Sequence, residues 1–249
     1  MRPKLSYRAK YLLAHCLPSS TYGFLALQHG AWQRARQISA WRTAQIAIAL
    51  QSGDPHLPSP ERECFYAELK VCRTYLEYGS GGSTLAALRM VPCVVSVEND
   101  RAFHRAVTSK ARSLSTGDYF PIFVNTGRTI EWGEPTVQRR TALRRWLWRR
   151  YAIAPWITIE RNRLSPDLIF IDGRFRVACA LESMLRLPSN SRCRILLDDV
   201  EQYNGAYLSI FEFAEEIEQH GRAVIFRRSS NFNQVRCRAV LTEYYTDFR

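Results

Sequence analysis

Five short apolar runs punctuate the chain after residue 60: RTYLEY (73–78), CVVSVE (93–98), YFPIFVN (119–125), DLIFID (167–172) and RILLDD (194–199). Each has the length of a strand and lacks the polar alternation of a strand with one wet face. Runs of this kind belong to parallel strands covered on both faces. Parallel neighbours cannot be joined by tight turns, so the intervening chain must cross over, and STLAALRM, RAFHRAVTSKAR and RVACALESMLRL have helix-forming composition. The expected fold class is α/β, a doubly wound and mostly parallel sheet.

The tail is expected to differ. Tyr207, Ile210, Phe211, Ala214 and Ile217 recur on one helical face, with Gly221 placed as a C-terminal cap. RAVIFRR (222–228) and VRCRAVLTEYY (235–245) are joined by SSNFNQ, too short for a crossover helix. They are expected to form an antiparallel pair that closes the sheet with a reversed strand.

Before residue 60 the pattern is helical, as in GAWQRARQISAWRTAQIAIAL (30–50), and QSGDPHLPSPER closes it as a loop. The expected organisation is a helical appendage over 1–60 and an α/β domain over 61–249, with a basic insertion around 127–165. Trp32, Trp41, Ile46 and Ile48 require burial, so the appendage is expected to cover a cleft or a subunit interface. His15 and Pro18 interrupt the basic, partly apolar start, which does not read as a secretory signal. No run of about 18 apolar residues suggests a membrane span. The seven cysteines include no CxxC pair and sit mostly in apolar runs. They read as reduced core residues of a cytoplasmic protein.

Three glycines in four positions follow the first run, in YLEYGSGGST (75–84). A strand, a glycine turn and a helix start can admit a nucleotide-like ligand against bare backbone, although structural turns use the same residues. Glu98 ends the next run 19 residues after Gly79, close to a dinucleotide-binding spacing, but Thr84 stands where that fingerprint needs its third glycine. A carboxylate there can accept two hydrogen bonds from a ribose diol, or it can serve the start of the next helix. His104, on that helix, reads as a surface or packing residue.

YLEYGSGGST resembles motif I of the class I S-adenosylmethionine (SAM)-dependent methyltransferases, and VVSVEND resembles their second strand with its terminal acid. The resemblance spans about residues 65 to 245. It implies a Rossmann-like fold and a SAM site built from Glu77, Gly79, Ser80, Gly81, Gly82, Ser83, Thr84 and Glu98. VNTGR departs from the pattern, supplying Asn125 and Thr126 where the family often places an acid toward adenine. LIFIDGRFRVACAL is similar to a subset of bacterial methyltransferase-like proteins associated with surface polysaccharides. That likeness implies O-methylation of a glycan or other polyhydroxylated acceptor. A nucleic-acid methyltransferase and a non-catalytic Rossmann-like binding subunit are the alternatives.

Asp172, Asp198 and Asp199 end the fourth and fifth runs, which are neighbours in such a sheet, and converging carboxylates require a cation or a proton. Metal-dependent O-methyltransferases place acids at matching positions to hold Mg²⁺. Asp172 and Asp199 are thus candidate catalytic residues and all three are candidate Mg²⁺ ligands, or they make turns neutralised by Arg174 and Arg176.

The net charge of +12 makes polyanions plausible partners, and RRTALRRWLWRRY (139–151) concentrates that charge. A helical wheel puts Leu143, Trp146, Leu147 and Tyr151 on one side and an exposed Trp148 among Arg144, Arg145 and Arg149 on the other. An anionic membrane surface, such as the inner membrane, or a nucleic acid would suit this segment.

Overall fold

The computed structural model describes residues 19–114, 117–200, 205 and 207–248, with side chains from residue 33 onward. The reading of His15 and Pro18, the thiol of Cys16 and the burial of Trp32 lie outside those residues. The chain divides into two compact units, Met1–Ala44 and Gln45–Arg249. Among the described residues the first helix is α1 (Ser19–Ser52), along which Trp41 and Ile46 are half-buried and Ile48 is exposed.

From there the chain alternates: α2 (Ser59–Val71), β1 (Thr74–Tyr78), α3 (Gly82–Met90), β2 (Cys93–Glu98), α4 (Arg101–Ala111) and β3 (Asp118–Phe123). It continues through α5 (Ala142–Arg161), β4 (Leu168–Ile171), α6 (Arg176–Arg186) and β5 (Arg194–Leu197). The described chain closes with α7 (Leu208–Phe211), β6 (Ala214–His220), β7 (Ala223–Arg228) and α8 (Gln234–Tyr244). Among the described residues seven strands form one sheet in the order β3-β2-β1-β4-β5-β7-β6, parallel from β3 to β5. Strand β7 runs antiparallel to both β5 and β6. Central strands β1, β2, β4 and β5 are almost wholly buried, as their continuous apolar runs require. Six cysteines are free and buried, and burial raises their thiol pKa values, as for Cys72, pushed up to about 12. Among the described residues no helix is long and apolar enough to cross a membrane.

The reversed strand is present, but its partner precedes it. Residues 223–228 pair with 214–220 through the turn at Gly221 (φ +58°), and 234–244 is helical. The expected helix over 207–217 shrinks to α7, and Gly221 turns a hairpin instead of capping that helix. Edge strand β6 carries Glu215, Glu216 and Glu218, the charged dressing that keeps a free edge from pairing further. Arg227 and Arg194 reach across to Glu216 and Glu218, at 2.7 and 2.8 Å. In α8, Asn233 accepts the first-turn N–H of Arg236 at 3.0 Å, and Cys237, Val240 and Leu241 are buried at helical spacing.

Helix α5 also corrects the wheel drawn through residue 151. It is the crossover between β3 and β4 and runs on to Arg161, so its inner face is fixed by Trp148, Tyr151, Ala152, Pro155, Trp156 and Ile159. Trp148 is wholly buried, donating its indole N–H to the Thr126 carbonyl at 3.0 Å. Leu143 and Trp146 face outward, 66 % and 57 % exposed. Trp148→Ala should therefore cost about 3–5 kcal/mol, and Trp146→Ala no more than about 0.5 kcal/mol, in denaturant unfolding. Equal costs would contradict this assignment of faces.

Candidate active site at the carboxyl edge of the sheet

The glycine turn leaves β1 at the point where strand order reverses, between β2 and β4. Its three glycines are there for different reasons. Gly79 has φ +104°, and a Cβ on it would lie 2.8 Å from the Gly173 nitrogen, so the ends of β1 and β4 touch backbone to backbone. At Gly82 a Cβ would overlap the Asp54 carbonyl, which belongs to the loop after α1. Around Gly81 nothing lies within 4 Å of such a Cβ. Only this glycine faces open space, at the N-terminal end of α3, where N–H groups favour an anion.

Glu77 is fully buried beneath the turn. It accepts hydrogen bonds from the hydroxyls of Tyr75 at 3.0 Å and Ser83 at 2.8 Å, and a short one from Thr84. Thr84 Oγ1 in turn accepts the Gly81 N–H at 2.9 Å. Burial raises the Glu77 pKa and the hydroxyls pull it back. Glu77, Ser83 and Thr84 thus form an internal clamp that sets the shape of the turn.

Glu98 closes the other wall. Its carboxylate accepts N–H groups from Ser80 at 3.0 Å, Asn99 at 2.7 Å and Asp100 at 2.6 Å, and the Ser80 hydroxyl lies 2.7 Å from that of Ser96. Burial pushes the Glu98 pKa up to about 7, against those N–H groups. An acid raised in the folded state loses fold stability as pH climbs from its ordinary value toward about 7. A ligand that needs the ionised form binds better above that value. Asp100, not Glu98, caps α4, accepting from Ala102 and Phe103.

The same corner holds down the chain after β3. Asn99 donates to Thr126 at 2.9 Å and to the Gly133 carbonyl at 2.8 Å, and Thr129 donates to Asp100 at 2.9 Å. The Thr126 side chain is thereby committed to Asn99. Asn125 makes a local turn with Gly127 at 3.0 Å. His104 is half-buried against Phe123, and burial lowers its pKa.

Across the floor, Asp172, Asp198 and Asp199 bring one oxygen each within 4.8 Å of one another. Two guanidinium groups lie among them. Arg176 reaches Asp172 at 3.3 Å and Asp199 at 3.1 Å; Arg222 reaches Asp199 at 3.0 Å and Asp198 at 3.6 Å. Arg176 also donates to the Asp198 carbonyl at 2.7 Å. Asp199 adopts φ +57°, a conformation uncommon for any residue but glycine. Burial raises Asp172, with Arg176 pulling it down and Asp199 pushing it up; Asp198 is pushed up to about 7 by burial and by its two acidic neighbours. The Asp172 side chain retains 35 % of its surface, so it is the acid a ligand can reach.

Of the two arginines that the sequence places beside these acids, Arg176 forms ion pairs with Asp172 and Asp199 and Arg174 adds its charge near Asp172; Arg222, which the sequence places in a strand, reaches the acids from the β6–β7 turn. Sequence reasoning missed Tyr151. The Tyr151 hydroxyl is buried without a hydrogen-bond acceptor, and a Cβ on Gly173 would collide with it. A tyrosine read from a basic helix gives no hint that it reaches the sheet edge. Gly79→Ala should cost at least about 2 kcal/mol, through positive φ and backbone overlap. Gly81→Ala should cost under about 1 kcal/mol while weakening any ligand bound against the turn. Unfolding curves of the two variants check this, and comparable losses would refute it.

No protein-family model matches the sequence, and no curated protein matches it. Among solved structures, a methyltransferase-like protein from Silicibacter pomeroyi DSS-3 is similar at 26 % identity and a TM-score of 0.68, over 78 % of this chain and 97 % of its own. An O-methyltransferase from Bacillus cereus in complex with S-adenosylhomocysteine (SAH) shares 18 % identity over 74 % of this chain and 89 % of its own; its TM-score of 0.42 is too low to bear on the chemistry. The chain has the Rossmann-like fold of the first of these, with the mostly parallel sheet and reversed strand described above.

Proposed function

We propose that this chain is a SAM-dependent methyltransferase that methylates a hydroxyl of a glycan or other polyhydroxylated acceptor. The observation that carries the reading is the open face of Gly81, set between the N-terminus of α3 and the Glu98 carboxylate at the switch point of the sheet. The methyltransferase-like description of the Silicibacter pomeroyi protein supports it. So does the likeness of LIFIDGRFRVACAL to polysaccharide-associated proteins.

When bound, SAM supplies a methyl group on a sulfonium, ready for direct displacement by an acceptor oxygen. The residues present fit such a ligand. N–H groups at the start of α3 suit its carboxylate, and Glu98, with Oε1 accepting from Asn99 and Asp100 and Oε2 from Ser80 alone, keeps an acceptor site on Oε2 for a ribose hydroxyl. Asp172 faces the cleft with a raised pKa, so it is positioned to accept the proton that leaves an acceptor hydroxyl. Arg176 orients the Asp172 carboxylate while holding its proton affinity down, and Arg222 offsets the charge of Asp198 and Asp199.

The all-oxygen donor set of Asp172, Asp198 and Asp199 suits a hard cation such as Mg²⁺. The two guanidinium groups already offset two of the three negative charges, so a divalent ion would have to displace them. Carboxylate base catalysis is therefore the first reading and Mg²⁺ binding the second. Transfer of labelled methyl from SAM to glycan acceptors should survive chelation and fall about 100-fold or more in Asp172→Asn, with SAH affinity retained. Loss on chelation, restored by Mg²⁺, would put the metal reading first. SAH binding without transfer to any acceptor would favour a non-catalytic binding subunit, and transfer to nucleic acid alone would overturn the acceptor class.

A further inference from the structure

We infer that the outer face of α5 docks on an anionic lipid surface. The inner face of this helix is spent on the core, through Trp148, Tyr151, Trp156 and Ile159. On the outside, Leu143, Trp146 and Ile157 are 66 %, 57 % and 53 % exposed. At 100° per residue these three, with Arg150, fall within an arc of about 60° and extend along roughly 21 Å of helix. They form a ridge, not scattered exposed residues.

The helix and its flanks are strongly basic, with Arg150 within the ridge and Arg161 in line with it. Residues 137–163 hold Arg139, Arg140, Arg144, Arg145, Arg149, Arg150, Arg161 and Arg163 against Glu160 alone, and Glu160 is bound by Arg186 at 2.7 Å. Arg150 lies over the Trp146 ring, 4.8 Å from its centroid, which keeps an aromatic face and a guanidinium side by side. An apolar ridge one side chain deep that carries Arg150 and Arg161, on a helix with a basic N-terminal end, matches the boundary between lipid headgroups and acyl chains: the ridge enters and the guanidiniums meet phosphates.

The apolar ridge decides between polyanions. A nucleic acid would use the arginines and stack on Trp146, but it offers nothing to Leu143 or Ile157. A lipid surface uses all of them. The docking face of α5 points away from the sheet and does not depend on methyl transfer in the cleft.

The test is co-sedimentation of the full chain with vesicles of phosphatidylcholine, alone or mixed with phosphatidylglycerol. Binding should require phosphatidylglycerol, weaken with salt, and shift tryptophan emission to the blue. A Leu143→Ser, Ile157→Ser double variant should lose about tenfold or more in vesicle affinity, and Trp146→Phe should remove most of the emission shift. Unchanged far-ultraviolet circular dichroism would confirm that both variants are folded. Binding to phosphatidylcholine alone, no vesicle binding, or full binding by the double variant would overturn the inference. So would tighter binding to a single-stranded oligonucleotide, or a wild-type dimer that the double variant abolishes.

Discussion

The close approach of Gly79 and Gly173 is the constraint on which the site rests. Any side chain at Gly79 would meet the Gly173 backbone, and any at Gly173 would meet Tyr78 and Tyr151. With none there, the ends of β1 and β4 can touch, and the turn after β1 and the acids after β4 and β5 share one floor. Glu77 makes the arrangement rigid from below, because a buried carboxylate satisfied by three hydroxyls cannot be reorganised cheaply. The open side of Gly81 is what remains.

Electrostatics then divides the cleft. Glu98 is held by backbone N–H groups with little positive charge nearby, so its proton affinity is set by burial. The Asp172, Asp198 and Asp199 cluster is managed by two arginines, one from α6 and one from the hairpin turn. Two carboxyl environments in one cleft, with different sources of stabilisation, are suited to different tasks: holding a polar ligand and moving a proton.

The central sheet was legible in the sequence because a strand buried on both faces writes an unbroken apolar run, as LIFI does for β4. The outer elements were not. AEEIEQH in β6 is exposed on most of its length and owes its strand conformation to pairing with buried β7, a tertiary effect absent from its own residues. The helix at 234–244 did carry a signal, Asn233 as cap with Cys237, Val240 and Leu241 at helical spacing, but its β-rich composition hid it. At the site, the turn, Glu98 and the three acids could be placed because each ends a legible strand. Arg222 and Tyr151 could not, since they reach the cleft from a hairpin turn and a distant helix.

The central claim is that the Gly81 opening and Glu98 hold SAM, and calorimetric titration of SAH into the intact chain tests it most directly. The account predicts saturable one-to-one binding of SAH, none of NAD, and tighter SAH binding above the Glu98 pKa of about 7 than below it. Glu98→Ala should cost about 1.5–3 kcal/mol and remove that pH dependence. Binding of NAD in preference to SAH, or SAH affinity indifferent to Glu98→Ala, would contradict it.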